Sequence, residues 1–197
     1  MKIASHFSIF LLLLLIPVPV FGKTNYEKMI IVHSKVRAMD HNLLLAIVEA
    51  ESNFRPSVVS HRGALGLCQI TIPVAKDRLG YSQQDKSKDA EIRRKLLDPH
   101  ENIHIALMHL AWIDKHLHAS LEGAKRLRMI IAIYNAGYRI FINKTGRLPD
   151  IGEGVKSLEK PLEKWKKRER DHYIQKVLNA YQRFVKKYGH SQYSLLN

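Results

Sequence analysis

Cysteine is nearly absent: Cys68 is the only one in 197 residues. A lone cysteine excludes an intramolecular disulfide, so stability has to come from a packed core. Cys68 lies among Leu65, Leu67 and Ile70, where a small buried hydrophobe fits, and no histidine stands at a spacing that suggests a base for a nucleophile. Acidic residues are also scarce. There are 18 Asp and Glu against 32 Lys and Arg, a formal net charge of +14. That imbalance implies an anionic partner: a carboxylate-bearing polymer, nucleic acid or an acidic membrane surface. Internal repeats, phosphate-binding glycine patterns and recognised nucleic-acid motifs are all missing. What remains is ordinary for a globular chain, 46% hydrophobic and 25% charged, with room for one domain and one core.

Long apolar runs are lacking everywhere except at the N-terminus. Lys2 supplies a positive start, Phe7 to Ile16 an apolar stretch, and Pro17 and Pro19 break any helix before Val20-Phe21-Gly22. Residues 1–22 therefore read as a cleaved secretory signal, with residues 23–197 as one exported domain. A permanent membrane helix is the competing reading, but the run falls short of the ~20 residues that span a bilayer. No stable membrane insertion of the mature chain is expected.

Helical signals follow in series. Thr24-x-x-Glu27 has the form of a capping box opening a helix over residues 24–38, with Met29, Ile30, Val32 and Val36 available to pack. Asp40 is a good N-cap for the next helix. A short helix over residues 74–79 closes at Gly80, and residues 82–91 read as a polar connection. Asp98-Pro99 opens a long helix with a stripe of Ile103, Ala106, Leu107, Leu110, Ile113 and Leu117. Residues 122–135 form another, ended by Gly137. Residues 143–161 read as a loop, and residues 163–188 as a final helix with Tyr173, Val177, Ala180, Tyr181 and Phe184 on one stripe. The expected fold is all-α, or α with minimal β.

The helix after Asp40 carries the chemistry. Leu44, Ile47, Val48 and Glu51 fall at i, i+3, i+4 and i+7, on one face, whereas Glu49 projects away from it. A carboxylate set against apolar packing is harder to ionise, which suits a general acid near neutral pH. A helix-end glutamate that simply reaches solvent satisfies the same spacing. Beyond it, Gly63 and Gly66 permit turns or close approach of backbone, and Gln69 offers both donors and acceptors.

Glu51-Ser52-x-Phe54 followed by Gly66-Leu67-Cys68-Gln69 resembles the soluble (SLT) type of lytic transglycosylase, with Cys68 where the family has Met. Asp98-Pro99-x-x-Asn102-Ile103 and Tyr134-Asn135-Ala136-Gly137 match that family's next patterns in order. Tyr173 takes the place of its late tyrosine, although the usual threonine is missing from Glu169-Arg170-Asp171-His172. The resemblance spans residues 40–177. It implies a lysozyme-like single domain of about seven helices that cleaves the β-1,4 bond between N-acetylmuramic acid and N-acetylglucosamine in peptidoglycan. It also implies Glu51 as the catalytic acid and base, and Ser52, Gln69, Tyr134, Asn135 and Tyr173 as substrate-binding residues. Tyr173 orients either Glu51 or a bound N-acetyl group on this view, unless it only packs in the core. No cofactor is implied. Small exported members of the family serve secretion or conjugation machinery, so such an apparatus is an expected partner class beside the glycan itself, and the periplasm the expected location.

Three other readings are compatible with the chain. A goose-type lysozyme-like hydrolase would use the same scaffold with water as nucleophile. His100-Glu101-x-x-His104 is a literal zinc-peptidase signature, with Glu122 as a conceivable third ligand. Against it, the pattern opens a helix directly after Pro99 and the extended form fails at Leu107, so no metal is expected. Lys164, Lys166, Lys167, Arg168 and Arg170 around Trp165 suit a non-catalytic wall-binding protein, or an enzyme drawn to an anionic wall; no nucleic-acid partner is expected.

Overall fold

The computed structural model describes residues 22–117, 119–137 and 167–193. Within them are seven α-helices: α1 (Lys23–Val36), α2 (His41–Glu51), α3 (Ile72–Leu79), α4 (Asp89–Leu97), α5 (Pro99–His116), α6 (Gly123–Ala136) and α7 (Lys167–Tyr188). A short 3-10 turn, Lys86–Lys88, precedes α4. The described β structure is two isolated antiparallel bridges, Val59 with Leu65 and Leu65 with Ile70. The all-α expectation holds. Residues 1–21, the loop over residues 143–161 and the group of Lys164, Trp165 and Lys166 lie outside the described residues.

α2 is the centre of the molecule, with every side chain from His41 to Val48 buried. Asp40 caps it as expected, its Oδ1 accepting from Asn42 N–H at 2.9 Å. The other oxygen does something no local pattern announces: it accepts from Tyr181 Oη–H at 2.6 Å and Gln192 N–H at 3.0 Å. One carboxylate thus caps α2 and moors the C-terminal helix and tail to it. α7 and α1 pack along α2, while α5 gathers α1, α3, α4 and α6 around itself. Truncating a fully buried α2 residue such as Leu44 or Ile47 to Ala would cost about 2–5 kcal/mol by lost transfer energy plus cavity.

Tertiary contacts overturn three local expectations. Thr24 makes no cap: Gly22 occupies that position, and Glu27 turns inward to accept from Lys187 Nζ at 2.8 Å and Tyr188 Oη at 2.7 Å. α1 also buries only part of the expected set, Ile30 being inside and Met29 packing against the core. Tyr26, Ile30 and Ser34 are inside, whereas Val32 and Val36 are 59% and 78% exposed. Last, the polar connection expected through Glu91 contains the start of α4. Its two buried apolar residues, Ile92 and Leu96, stand at i and i+4; the basic run between them masks the stripe. Lys76, buried on α3, accounts for the fold of the preceding turn, donating to Asp85 O at 2.7 Å and pairing with Asp89 at 2.5 Å.

The long-helix reading stands without change. Asp98 accepts from Glu101 N–H at 2.9 Å with Pro99 behind it, and all six residues of the expected α5 stripe are buried.

Candidate active site

Glu51 is the last residue of α2, so the buried helix delivers its carboxylate to the point where the chain leaves the core. The exit is sharp. Asn53 and Phe54 have φ of 50° and 60°, a left-handed conformation that costs an L-residue about 1–2 kcal/mol. Burial of Phe54 holds that turn, its ring edge-on to Phe184 with centroids 6.3 Å apart.

Tyr173 of α7 donates its hydroxyl to Glu51 Oε1 at 2.7 Å. Its oxygen is in turn hydrogen-bonded by the Asn135 side chain. A tyrosine that donates to the carboxylate receives its second bond from the amide, so the relay runs Asn135 to Tyr173 to Glu51. Burial raises the Glu51 carboxyl above its ordinary range, and the Tyr173 bond and the positive charge of Lys176 draw it partly back. The result is a carboxyl that holds its proton at a higher pH than a surface glutamate does. Burial also lifts the Tyr173 phenol well above its usual value, helped by the neighbouring Glu51. Tyr173 is therefore a neutral donor throughout. Glu49 faces another way, paired with Lys23 at 3.2 Å and with Arg183.

The remaining expected residues fall into two groups. Tyr134 donates its hydroxyl to Cys68 O at 2.8 Å, fixing α6 to the Gly-Leu-Cys-Gln segment. Gln69 is half-buried, with φ of 50°, and its amide nitrogen is engaged by Val58 O at 3.0 Å and Gly66 O at 2.9 Å. Both shape the loop beside Glu51. Ser52 is not brought to the site's surface. It is 1% exposed and its Oγ donates back to Val48 O at 3.2 Å, so it finishes the helix instead of facing a ligand.

Sequence reading placed Asn102 in a family pattern but gave no role to it, and it is the residue that organises this loop. Asn102, buried in α5, accepts from Cys68 N–H at 2.8 Å and donates to Leu65 O at 2.9 Å and Leu96 O at 2.8 Å. Three bonds from one buried amide hold the loop against α5. Gly66 lets it come that close: a Cβ there would sit 2.3 Å from Leu96 O and 2.5 Å from Asn102 Nδ2. The available signal was a polar residue directly in line with the apolar stripe, four residues before Ala106.

Residues 28–149, more than half of the chain, match the family model of the transglycosylase SLT domain. This chain is a member of the SLT domain family. Among its relatives, the membrane-bound lytic murein transglycosylase C of Salmonella typhi is 35% identical over 115 residues, 56% of this chain and 31% of that protein. The protein of the same name from Klebsiella pneumoniae is 33% identical over 105 residues, 53% of this chain and 29% of that one. The alignments thus cover about a third of the relatives' length. Among solved structures, the 70 kDa soluble lytic transglycosylase of Escherichia coli superposes with a TM-score of 0.58 over 87% of this chain and 26% of that one, at 23% identity. An inactive Glu-to-Gln mutant of the lytic transglycosylase Slt from Pseudomonas aeruginosa follows at 0.55, with 20% identity over 84% of this chain and 24% of that one. The lysozyme-like fold expectation is met by these neighbours.

In this SLT domain the zinc-peptidase pattern serves another purpose. His100 Nδ1 lies 3.1 Å from His33 Nε2, and His104 Nδ1 accepts from the Arg37 guanidinium. Glu101 sits 3.8 Å from Lys95. These side chains join α1 and α4 to α5, and a guanidinium on one imidazole opposes a metal cation there. Glu122 is the N-cap of α6. Among the described residues no group of three or more His, Cys, Asp or Glu is arranged to hold a metal.

Proposed function

We propose that this SLT-domain chain is a peptidoglycan lytic transglycosylase in which Glu51 serves first as acid and then as base. The observation that carries the reading is the carboxyl at the end of α2, its pKa raised by burial and its Oε1 held by the Tyr173 hydroxyl. Glu51 protonates the glycosidic oxygen between N-acetylmuramic acid and N-acetylglucosamine. As carboxylate it then takes the proton from the muramic acid C6 hydroxyl, whose oxygen closes on the anomeric carbon of the same sugar. The product ends in 1,6-anhydro-muramic acid.

Internal attack asks for no second carboxylate to activate water, and the geometry is consistent with that economy. Among the described residues, none of the groups that shift Glu51 is a carboxyl; conventional glycosidases set two carboxyls across the bond. Holding the nucleophile within the substrate replaces much of the entropic cost of bringing water in. Tyr173 keeps Glu51 in one rotamer for both proton transfers, and Asn135 keeps Tyr173 pointing at it. The net charge of +14 suits an anionic wall. Export to the periplasm follows from the pattern of residues 1–22 and from where such a substrate lies.

Digestion of purified sacculi followed by mass spectrometry tests the proposal. Anhydro-ended fragments are expected from the wild type, and at least a ~10²-fold loss from Glu51→Gln, as befits an acid–base group. Dominant reducing ends, heavier by one water, would replace this reading with hydrolysis on the same scaffold. Near-normal cleavage by Glu51→Gln would remove Glu51 from the mechanism.

A further inference from the structure

α2 ends under electrostatic tension. A helix concentrates partial negative charge at its C-terminus, where the last carbonyls lack backbone partners, and a carboxylate there is disfavoured. Glu51 occupies that last position, and α2 has no basic residue in its last turn to offset it. The carbonyls of Val48 and Glu49 are taken by Ser52 N–H at 3.0 Å and Asn53 N–H at 3.2 Å. That of Ala50 accepts instead from Lys176 Nζ at 2.7 Å, across 126 residues of sequence.

Lys176 stands three residues after Tyr173 on α7, so the two share a face. Their side chains reach consecutive residues of α2. Tyr173 holds the Glu51 carboxylate; Lys176 holds the carbonyl just before it and brings a positive charge beside both. We propose that Lys176 is a positioning residue for Glu51: a helix C-cap supplied in trans by α7, which fixes the end of the catalytic helix and sets the pH range over which Glu51 works. This rests on the reading of Glu51 as the acid, and the measurements below separate the two.

The groups facing Glu51 leave Lys176 in a distinct position. From α7 come Tyr173 and Lys176. From α6 comes Tyr134, and from the loop after α2 comes Cys68, both held neutral by burial and by Glu51 itself. On α2, Glu49 is occupied with Lys23 of α1 and Arg183 of α7. Among the described residues, Lys176 is thus the formal charge whose attraction offsets burial at Glu51. Its side chain is exposed, so salt screens this attraction, and the basic limb of the activity profile should move up as salt is added to the wild type.

Two variants test the assignment. Lys176→Met keeps the aliphatic stem but removes donor and charge, while Lys176→Arg keeps both. Lys176→Met should move the upper pH limb of glycan cleavage to higher pH and lower the plateau rate roughly two- to fivefold, the range expected for a lost cation at a helix C-terminus. Lys176→Arg should restore limb and plateau together. In parallel, the Glu51 carboxyl is titrated by carbon NMR in wild type and Lys176→Met, a readout independent of turnover. An upward shift of that titration supports the inference even if cleavage does not follow it, in which case the acid assignment of Glu51 is what fails. An unmoved titration and limb in folded Lys176→Met, with only a lower melting temperature, would overturn it and leave Lys176 as a structural tie.

Discussion

Gly66→Ala is the substitution whose cost the geometry defines most sharply. Gly66 has φ of 76°, and an added Cβ would lie 2.3 Å from Leu96 O, 2.5 Å from Asn102 Nδ2 and 2.9 Å from Asn102 Cγ. The first obstacle is backbone at the end of α4, which cannot swing aside. The other two belong to an amide already fixed by three hydrogen bonds. The left-handed conformation alone costs alanine about 1–2 kcal/mol. Overpacking of a filled site adds about 1–3 kcal/mol, and displacing Asn102 leaves buried partners unsatisfied at about 1–3 kcal/mol each. The expected loss is about 3–8 kcal/mol, or roughly 6–30 °C in melting temperature for a chain of this size. Gly63 provides the internal control, since it has φ of 77° but nothing within 4 Å of an added Cβ. Gly63→Ala should therefore lose only the conformational part, about 1–2 kcal/mol. Thermal unfolding followed by far-ultraviolet circular dichroism measures both. Equal melting temperatures for the two variants would refute the claim that contact with Asn102 and Leu96 O, beyond φ itself, makes glycine necessary.

Two further expectations concern the carboxyl. Because the Glu51 pKa is raised on folding, its favourable contribution is complete below the unfolded value near ~4.3 and is lost as pH rises through the folded one. Glu51→Gln should therefore melt a few degrees above wild type at pH 7–8, with the gap closing toward pH 4; a gap that widens on acidification would reverse the sign argued here. Tyr173→Phe removes a bond that lowers the Glu51 pKa, so the basic limb should shift up. The optimum rate should fall roughly ten- to hundredfold, the equivalent of a hydrogen bond to a charged group, and an unchanged rate would reduce Tyr173 to packing.

Much of this molecule is legible along the chain, for reasons that are local. Asp40 before a run of apolar residues, Asp98-Pro99 before a stripe at helical spacing, and Gly80 and Gly137 after the last turn each satisfy backbone groups within four residues. Those helices end where their caps say. Glu51 in line with Leu44, Ile47 and Val48 is likewise a matter of angle around one helix, and it placed the carboxyl against the core. Short apolar spacing is less secure: α4 rests on Ile92 and Leu96 alone, with a basic run between them. α1 offered two apolar faces, and which one is covered depends on where α2 and α5 lie.

Only the tertiary structure decided where polar atoms find partners. Tyr173 and Glu51 are 122 residues apart, Tyr134 and the Cys68 carbonyl 66, and Asn102 and the Cys68 amide 34. A hydroxyl or amide carries no periodic signature of what it will bond, because its partner is set by the packing of whole helices. The same reason turned Ser52 inward to Val48, took Glu27 from a supposed capping box to Lys187, and made His100 and His104 ties to α1. Sequence alone put Glu51 in line with the apolar stripe at the end of α2 and left open whether it reached solvent. The fold determined that α7 would meet that end with a tyrosine on the carboxylate and a lysine on the carbonyl before it.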